Sequence, residues 1–315
     1  MRKQLPAVLF SLALAACGGG GSAGDSSLAS DVAQGYAADA ATMPVQAAST
    51  LDNATSALEA AVRVSASVTP LAGPTVVDVI VNCAAGGTVT YTLSGGTPAQ
   101  QINAKFDAGE IYGTVFKGCA NVAGGPVLNG AMNLVVTAYS STAADFTLSA
   151  TALSSSSAQG SYTVDGSVRS QRSTVAADAS GSVVSSQFSS SGVVLASNVN
   201  SRQASYKLNT LAWTATRTLD ATGKLTASSQ QGSLDLVTST PRRPPTTLQI
   251  STQGTLTLGS DGLASAGTFS LTTGGDKLAV SYGPSNVVVT LDVGNNGSVD
   301  FTWTLTRSGF FGIAG

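Results

Sequence analysis

The side chains that could do chemistry are few. Cysteine occurs three times, at Cys17, Cys83 and Cys119, histidine not once, and glutamate only at Glu59 and Glu110. Without histidine there is no Ser-His-Asp triad, no Cys-His dyad and no His-ligated metal. Glycoside hydrolysis needs two acids brought together, and no such pair is visible among the 17 acidic residues. Cys83 and Cys119 lie far apart in sequence and form no Cys-x-x-Cys, which disfavours a redox or metal site. No catalytic residue, metal ligand or cofactor is therefore expected, and the chain reads as a non-enzyme.

The charge balance excludes a further class. Fifteen basic residues stand against 17 acidic ones, and charged residues are only 10% of the 315. That leaves no electrostatic footprint for nucleic acid.

Cys17 sits in the most informative stretch of the chain. Arg2 and Lys3 precede an apolar run from about Leu5 to Ala13, and small residues lead into the cysteine. The run falls short of the ~20 apolar residues that span a bilayer and has the layout of a secretory signal. Leu14-Ala15-Ala16-Cys17 resembles the lipobox of bacterial lipoproteins at every position. The resemblance implies a signal peptide over residues 1–16, cleavage before Cys17, diacylglycerol on its thiol and acylation of the new amino terminus, palmitate being a typical chain. Several acyl chains together hold a protein stably on a membrane, at ~0.8 kcal/mol per buried CH₂. Gly18 follows where an Asp would imply inner-membrane retention. The expected location is therefore the outer membrane, lipid-anchored and facing the periplasm or the surface.

With Cys17 taken by lipid, Cys83 and Cys119 remain as an even pair in an exported domain and read as a disulfide. The stretch from Tyr112 to Val136 holds Phe116-x-x-Cys119, a Gly-rich turn and Leu128-Asn129-Gly130. It resembles a pattern in uncharacterised proteobacterial lipoproteins, which carries no activity with it.

The elements follow from composition and period. Residues 17–50 are Gly-, Ser- and Ala-rich and read as a flexible tether; ~30 residues of coil reach roughly 30 Å. The segment 51–70 reads as a short amphipathic helix, from about Thr50 to Ser65, with Leu51, Ala54, Leu58, Ala61 and Val62 on one face and Asp52 and Glu59 off it. Residues 71–315 read as one all-β domain. Val89, Tyr91 and Leu93 alternate with threonines, as do Phe146, Leu148, Ala150 and Ala152 with polar residues. Val287, Val289, Leu291 and Val293 form another apolar row, and Val299, Phe301, Trp303 and Leu305 a fourth. Gly- and Asn-rich turns at Gly86-Gly87, Gly274-Gly275 and Asn295-Asn296-Gly297 separate the strands.

Roughly 14 to 17 strands are expected, in a large, strongly curved antiparallel meander, either a half-open barrel or a two-sheet sandwich, with the helix on its apolar face. The serine-rich stretches Ser154–Ser157 and Ser185–Ser191 suggest exposed loops or polar edge strands, and Thr240–Pro245 a stiff connection. Leu128-Asn129-Gly130 and Val164-Asp165-Gly166 suit either a hairpin turn or a bulge. Asp292 to Asp300 faintly resembles a calcium loop, but Gly294 and Trp303 occupy two ligand positions, so a hairpin turn is favoured.

Two functions fit these features. One is a non-catalytic structural or interaction lipoprotein of the cell envelope, meeting the membrane through its anchor and an envelope protein or glycan through its polar faces. The other is a carrier of a hydrophobic, lipid-like ligand in the concave face of the sheet.

Overall fold

A computed structural model describes residues 30–65, 78–101, 103, 105–158, 160–177, 181–199, 202–222, 224–239, 246–260 and 263–312. The signal segment, Cys17, the first part of the expected tether and the Thr240–Pro245 connection lie outside the described residues.

The first described element is one helix, α1 (Ser30–Ser65). The first strands are β1 (Val79–Asn82), β2 (Thr88–Gly95), β3 (Glu110–Ala120), β4 (Val127–Tyr139), β5 (Ala143–Ser157) and β6 (Gly160–Ala177). β7 (Gly181–Ser190), β8 (Val193–Val199), β9 (Arg202–Asp220) and β10 (Leu225–Ser239) follow. Then come β11 (Thr247–Thr252), β12 (Leu256–Leu258), β13 (Ala264–Thr273), β14 (Asp276–Tyr282), β15 (Asn286–Asp292) and β16 (Phe301–Thr306). A five-residue helix, α2 (Arg307–Phe311), ends the described chain.

All sixteen strands form one antiparallel sheet in chain order, a curved meander as expected. β7 and β8 are one strand line interrupted at Ser190–Val193: both pair with β6 on one side and β9 on the other. β11 and β12 share β10 and β13 in the same way. The serine-rich stretches are thus not loops or edges. Ser154–Ser157 lie in β5 and Ser185–Ser190 in β7, with Ser154–Ser156 and Ser185–Ser189 paired on both sides. Threonine and serine hold extended backbone in a central strand as well as at an edge.

The helix is the largest departure from the sequence reading. It begins twenty residues before the expected Thr50, so residues 30–50 are helix, not tether. It spans about 54 Å at 1.5 Å per residue. It is buried nearly all round from Ala33 to Val62 and packs against strands from β1 to β15. A helix enclosed by a curled sheet has no polar face to show. It must also be thin, and Ala37, Ala41, Ala48 and Ala54 make it so. The same alanines look like a tether by composition. Pro44 within the helix adds to the disguise, because proline removes an internal hydrogen bond. Leu51 and Leu58, expected on the apolar face, are fully buried.

The inward faces of the strands meet this helix. Val89, Tyr91, Phe146, Leu148, Val289 and Leu291 are buried as expected. Phe301 is 50% exposed, contrary to expectation, because β16 is an edge strand with a neighbour on one side only among the described residues. Ala152 also faces out. It has φ +47° where the β5–β6 register slips between Ala150 and Leu153, and Leu153 is the next buried residue.

Both open alternatives resolve as irregular strand rather than turns. Gly130 lies within β4 at a register shift, with φ +101°; a Cβ there would stand 2.1 Å from the Ala152 carbonyl oxygen. Gly166 lies within β6 across from Ala150, at the edge of the Ala152 bulge.

Cys83 and Cys119 form the expected disulfide, with Cα atoms 5.5 Å apart. It ties the end of edge strand β1 to β3 across β2. At the other end of the sheet, α2 buries Phe310 and Phe311 against Tyr282. Arg307 fixes this turn by donating to the Leu263 and Ala264 carbonyls at 2.9 Å. Asp292 to Asp300 is the β15–β16 connection, and its carboxylates accept from the loop's own amides: Asn296 and Gly297 donate to Asp292, Val293 to Asp300.

Candidate functional site

The polar chemistry of the molecule gathers where the C-terminal half of α1 meets β4, β6, β7 and β9. Strand alternation carries two arginines inward. On β6 the inward row runs Tyr162, Val164, Val168, Ser170 and then Arg172. On β9 a bulge changes the phase: Leu208 pairs with Leu236 and Thr210 with Asp235, so Asn209 is extra. The inward row passes from Tyr206 and Leu208 to Leu211, Trp213, Ala215 and Arg217. A bulge also aims Tyr139. Val136 pairs with Phe146 and Ala138 with Asp145, leaving Thr137 extra and turning Tyr139 toward the helix.

Two carboxylates of α1 receive the arginines. Asp52 and Glu59 are seven residues apart, two turns along one face. The Arg217 Nε donates to Asp52 Oδ2 at 2.8 Å, and the Ser186 hydroxyl to Asp52 Oδ1 at 3.1 Å. The Arg172 Nη1 meets Glu59 Oε2 at 2.8 Å. Arg63 and the Tyr139 hydroxyl both reach Glu59 Oε1 at 2.7 Å. Burial raises the Glu59 pKa, but Arg172, Tyr139 and Arg63 together outweigh it and hold the carboxyl below its ordinary value. Burial and the neighbouring Glu59 charge push the Tyr139 phenol up, so it stays a donor at neutral pH. Deeper along the helix, Gln230 accepts from Trp213 Nε1 at 2.6 Å and donates to the Val45 carbonyl and the Ser49 hydroxyl.

Beside these pairs lies an open cleft of about 850 Å³. Its floor is Ser56, Glu59, Arg172, Arg217 and Tyr139; its rim carries Arg63 and the Lys105–Asp107 stretch of the β2–β3 loop. Phe106 pins that loop, with ring centroids 4.9 Å from Tyr112, 5.5 Å from Tyr139 and 5.5 Å from Phe146. Glu110 adds to the clamp by accepting from the Asp107 amide at 2.7 Å and from the Tyr112 hydroxyl at 2.8 Å. Burial raises the Glu110 pKa. Its second oxygen is buried without a hydrogen-bond partner.

The arrangement presents donors and acceptors side by side on a fixed frame. Of the residues singled out from sequence, Cys83 and Cys119 join each other away from this cleft, and Cys17 lies outside the described residues. Glu59 and Asp52 were legible only as residues off the apolar face. Arg172, Arg217 and Tyr139 went unread. The signal for the arginines was their phase: Arg172 shares parity with Val168, and Arg217 with Trp213. No protein-family model, curated protein or solved structure matches the chain.

Proposed function

We propose that this protein is a lipid-anchored cell-envelope protein of the outer membrane with a non-catalytic structural or interaction role. The observation that carries the reading is where α1 lies. Leu51, Ala54 and Leu58 fill the concave face of the sheet with 1% exposure or less. A carrier of a lipid-like molecule would need that volume for its cargo. The remaining cleft mixes apolar lining from Ala60, Ala143, Val184 and Leu219 with the charged groups of Glu59, Arg63, Arg172 and Arg217, and burying an apolar chain beside ion pairs gains little. The row of apolar residues points inward on strand after strand while hydroxyl-bearing residues face out. A barrel that crosses a membrane needs the reverse. The Leu14-Ala15-Ala16-Cys17 signal supports the anchor.

Native mass spectrometry of the protein extracted from membranes tests both parts. The expected spectrum shows an acylated Cys17 and no other bound lipid. A stoichiometric lipid that survives removal of the acylated terminus would overturn the interaction reading in favour of a carrier. A mature product without acyl chains would overturn the anchor.

A further inference from the structure

We propose that the cleft beside the C-terminal half of α1 binds an anionic saccharide, a sugar ring carrying a carboxylate or a phosphate. The proposal names a partner class for the interaction role and rests on it.

The cleft carries an excess of positive charge. Four cations, Arg63, Lys105, Arg172 and Arg217, line the cleft against two carboxylates, Glu59 and Asp107. Asp52 lies behind Arg217, so four positive charges face three negative ones. The surplus sits at the rim. Lys105 has no carboxylate within ion-pair distance among the described residues, and the Arg63 side chain is 66% exposed. One anionic group of a ligand is thus matched at the entrance.

The floor mixes donors and acceptors. Glu59 accepts, Arg172 and Arg217 donate, and Ser56 and Tyr139 are hydroxyls beside them. A sugar hydroxyl donates and accepts at once, so adjacent hydroxyls can answer such a pattern. A bare phosphate or a triglutamate peptide concentrates its charge against Glu59 and Asp107, whereas a sugar brings one anionic group and several neutral hydroxyls. The cleft's volume lies within the range of small-ligand sites.

The floor of the cleft is held in place. The Arg172 side chain is 12% exposed, paired to Glu59 and stacked 5.7 Å from the Phe146 ring centroid. Phe106 and Glu110 hold the Phe106–Asp107 stretch next to Lys105. A site that needs no ordering loses less free energy on binding.

The test is isothermal titration of the whole mature protein in detergent with D-galacturonate, glucose 6-phosphate, neutral galactose and a triglutamate peptide. At least one of the two anionic sugars is expected to bind about tenfold more tightly than galactose, as a charge-assisted contact supplies. Galacturonate ahead assigns a carboxylate, glucose 6-phosphate ahead a phosphate. Lys105→Ala and Arg63→Ala lie at the rim and are expected to weaken the preferred sugar about fivefold while shifting the melting temperature by no more than about 2 °C. The inference is overturned by equal binding of galactose, by preference for the peptide, by no binding of either anionic sugar, or by unaltered binding in the Lys105→Ala/Arg63→Ala double variant. Such a result leaves the lipid content of the membrane-extracted protein unchanged, so the two readings fail separately.

Discussion

Arg172 and Arg217 carry guanidinium groups into the interior of a sheet, where desolvation costs each of them several kcal/mol unless it is paired. Asp52 and Glu59 supply the pairing, and the four together fix how α1 sits against β6 and β9. Removing one partner strands the other. Asp52→Ala is expected to lower unfolding free energy by about 3 kcal/mol in urea denaturation, because Arg217 then has no carboxylate at 2.8 Å. Replacing both, as Asp52→Leu with Arg217→Met, is expected to cost much less. The acids also set opposite pH dependences. The Glu59 pKa is lowered in the fold, so its contribution is complete above the unfolded value and fades as pH falls through the folded one. Glu110 is raised, so its folded environment favours the protonated form; that contribution is complete below the unfolded value and is lost as pH rises through the folded one. Glu110→Gln removes this second dependence. Thermal melts should show its stability relative to the natural chain rising from about pH 4 to about pH 8. A constant difference across that range would refute the assignment.

Elements differ in how far the sequence reveals them. The strands were legible because apolar residues recur every second position with glycine and asparagine between runs, as in Val287 to Asp292 and its Asn-Gly turn. The disulfide followed from cysteine arithmetic once Cys17 was set aside. The C-terminal half of α1 was legible from Leu51 and Leu58; the first half was not, since Ala37 to Ala48 carry little hydrophobic contrast and Pro44 reads as a break. The cleft was illegible for a different reason. It needs the bulge at Thr137 to turn Tyr139, the one at Asn209 to turn Arg217, and the curl of the sheet to bring both to Glu59. Such slips leave no periodic mark. Two measurements belong to this scale. Leu58→Ala is expected to lose about 2–5 kcal/mol, as a fully buried leucine in contact with a sheet does. Removing the Cys83–Cys119 bond, which closes a separation of 36 residues, is expected to cost about 4 kcal/mol on the chain-entropy account, read by denaturant melts with and without reductant.

At the scale of the whole molecule, the sixteen described antiparallel strands curl around one helix that precedes them in the chain. Among the described residues the sheet does not close on itself: β1 and β16 each have a single neighbour. Its inward face is covered by α1 rather than by a second sheet, so the two-sheet sandwich is not the solution adopted. A half-open curl of this kind depends on the helix, because without it the long strands β6, β9 and β10 would expose a continuous apolar face. Hydrogen exchange of the natural protein, followed by mass spectrometry, tests this dependence most directly. Peptides covering residues 33–62 are expected to exchange as slowly as those from β6 and β9, and to lose protection in the same unfolding step. Exchange of that segment within seconds, while the strands remain protected, would contradict the account by showing that the sheet holds its curve without the helix inside it.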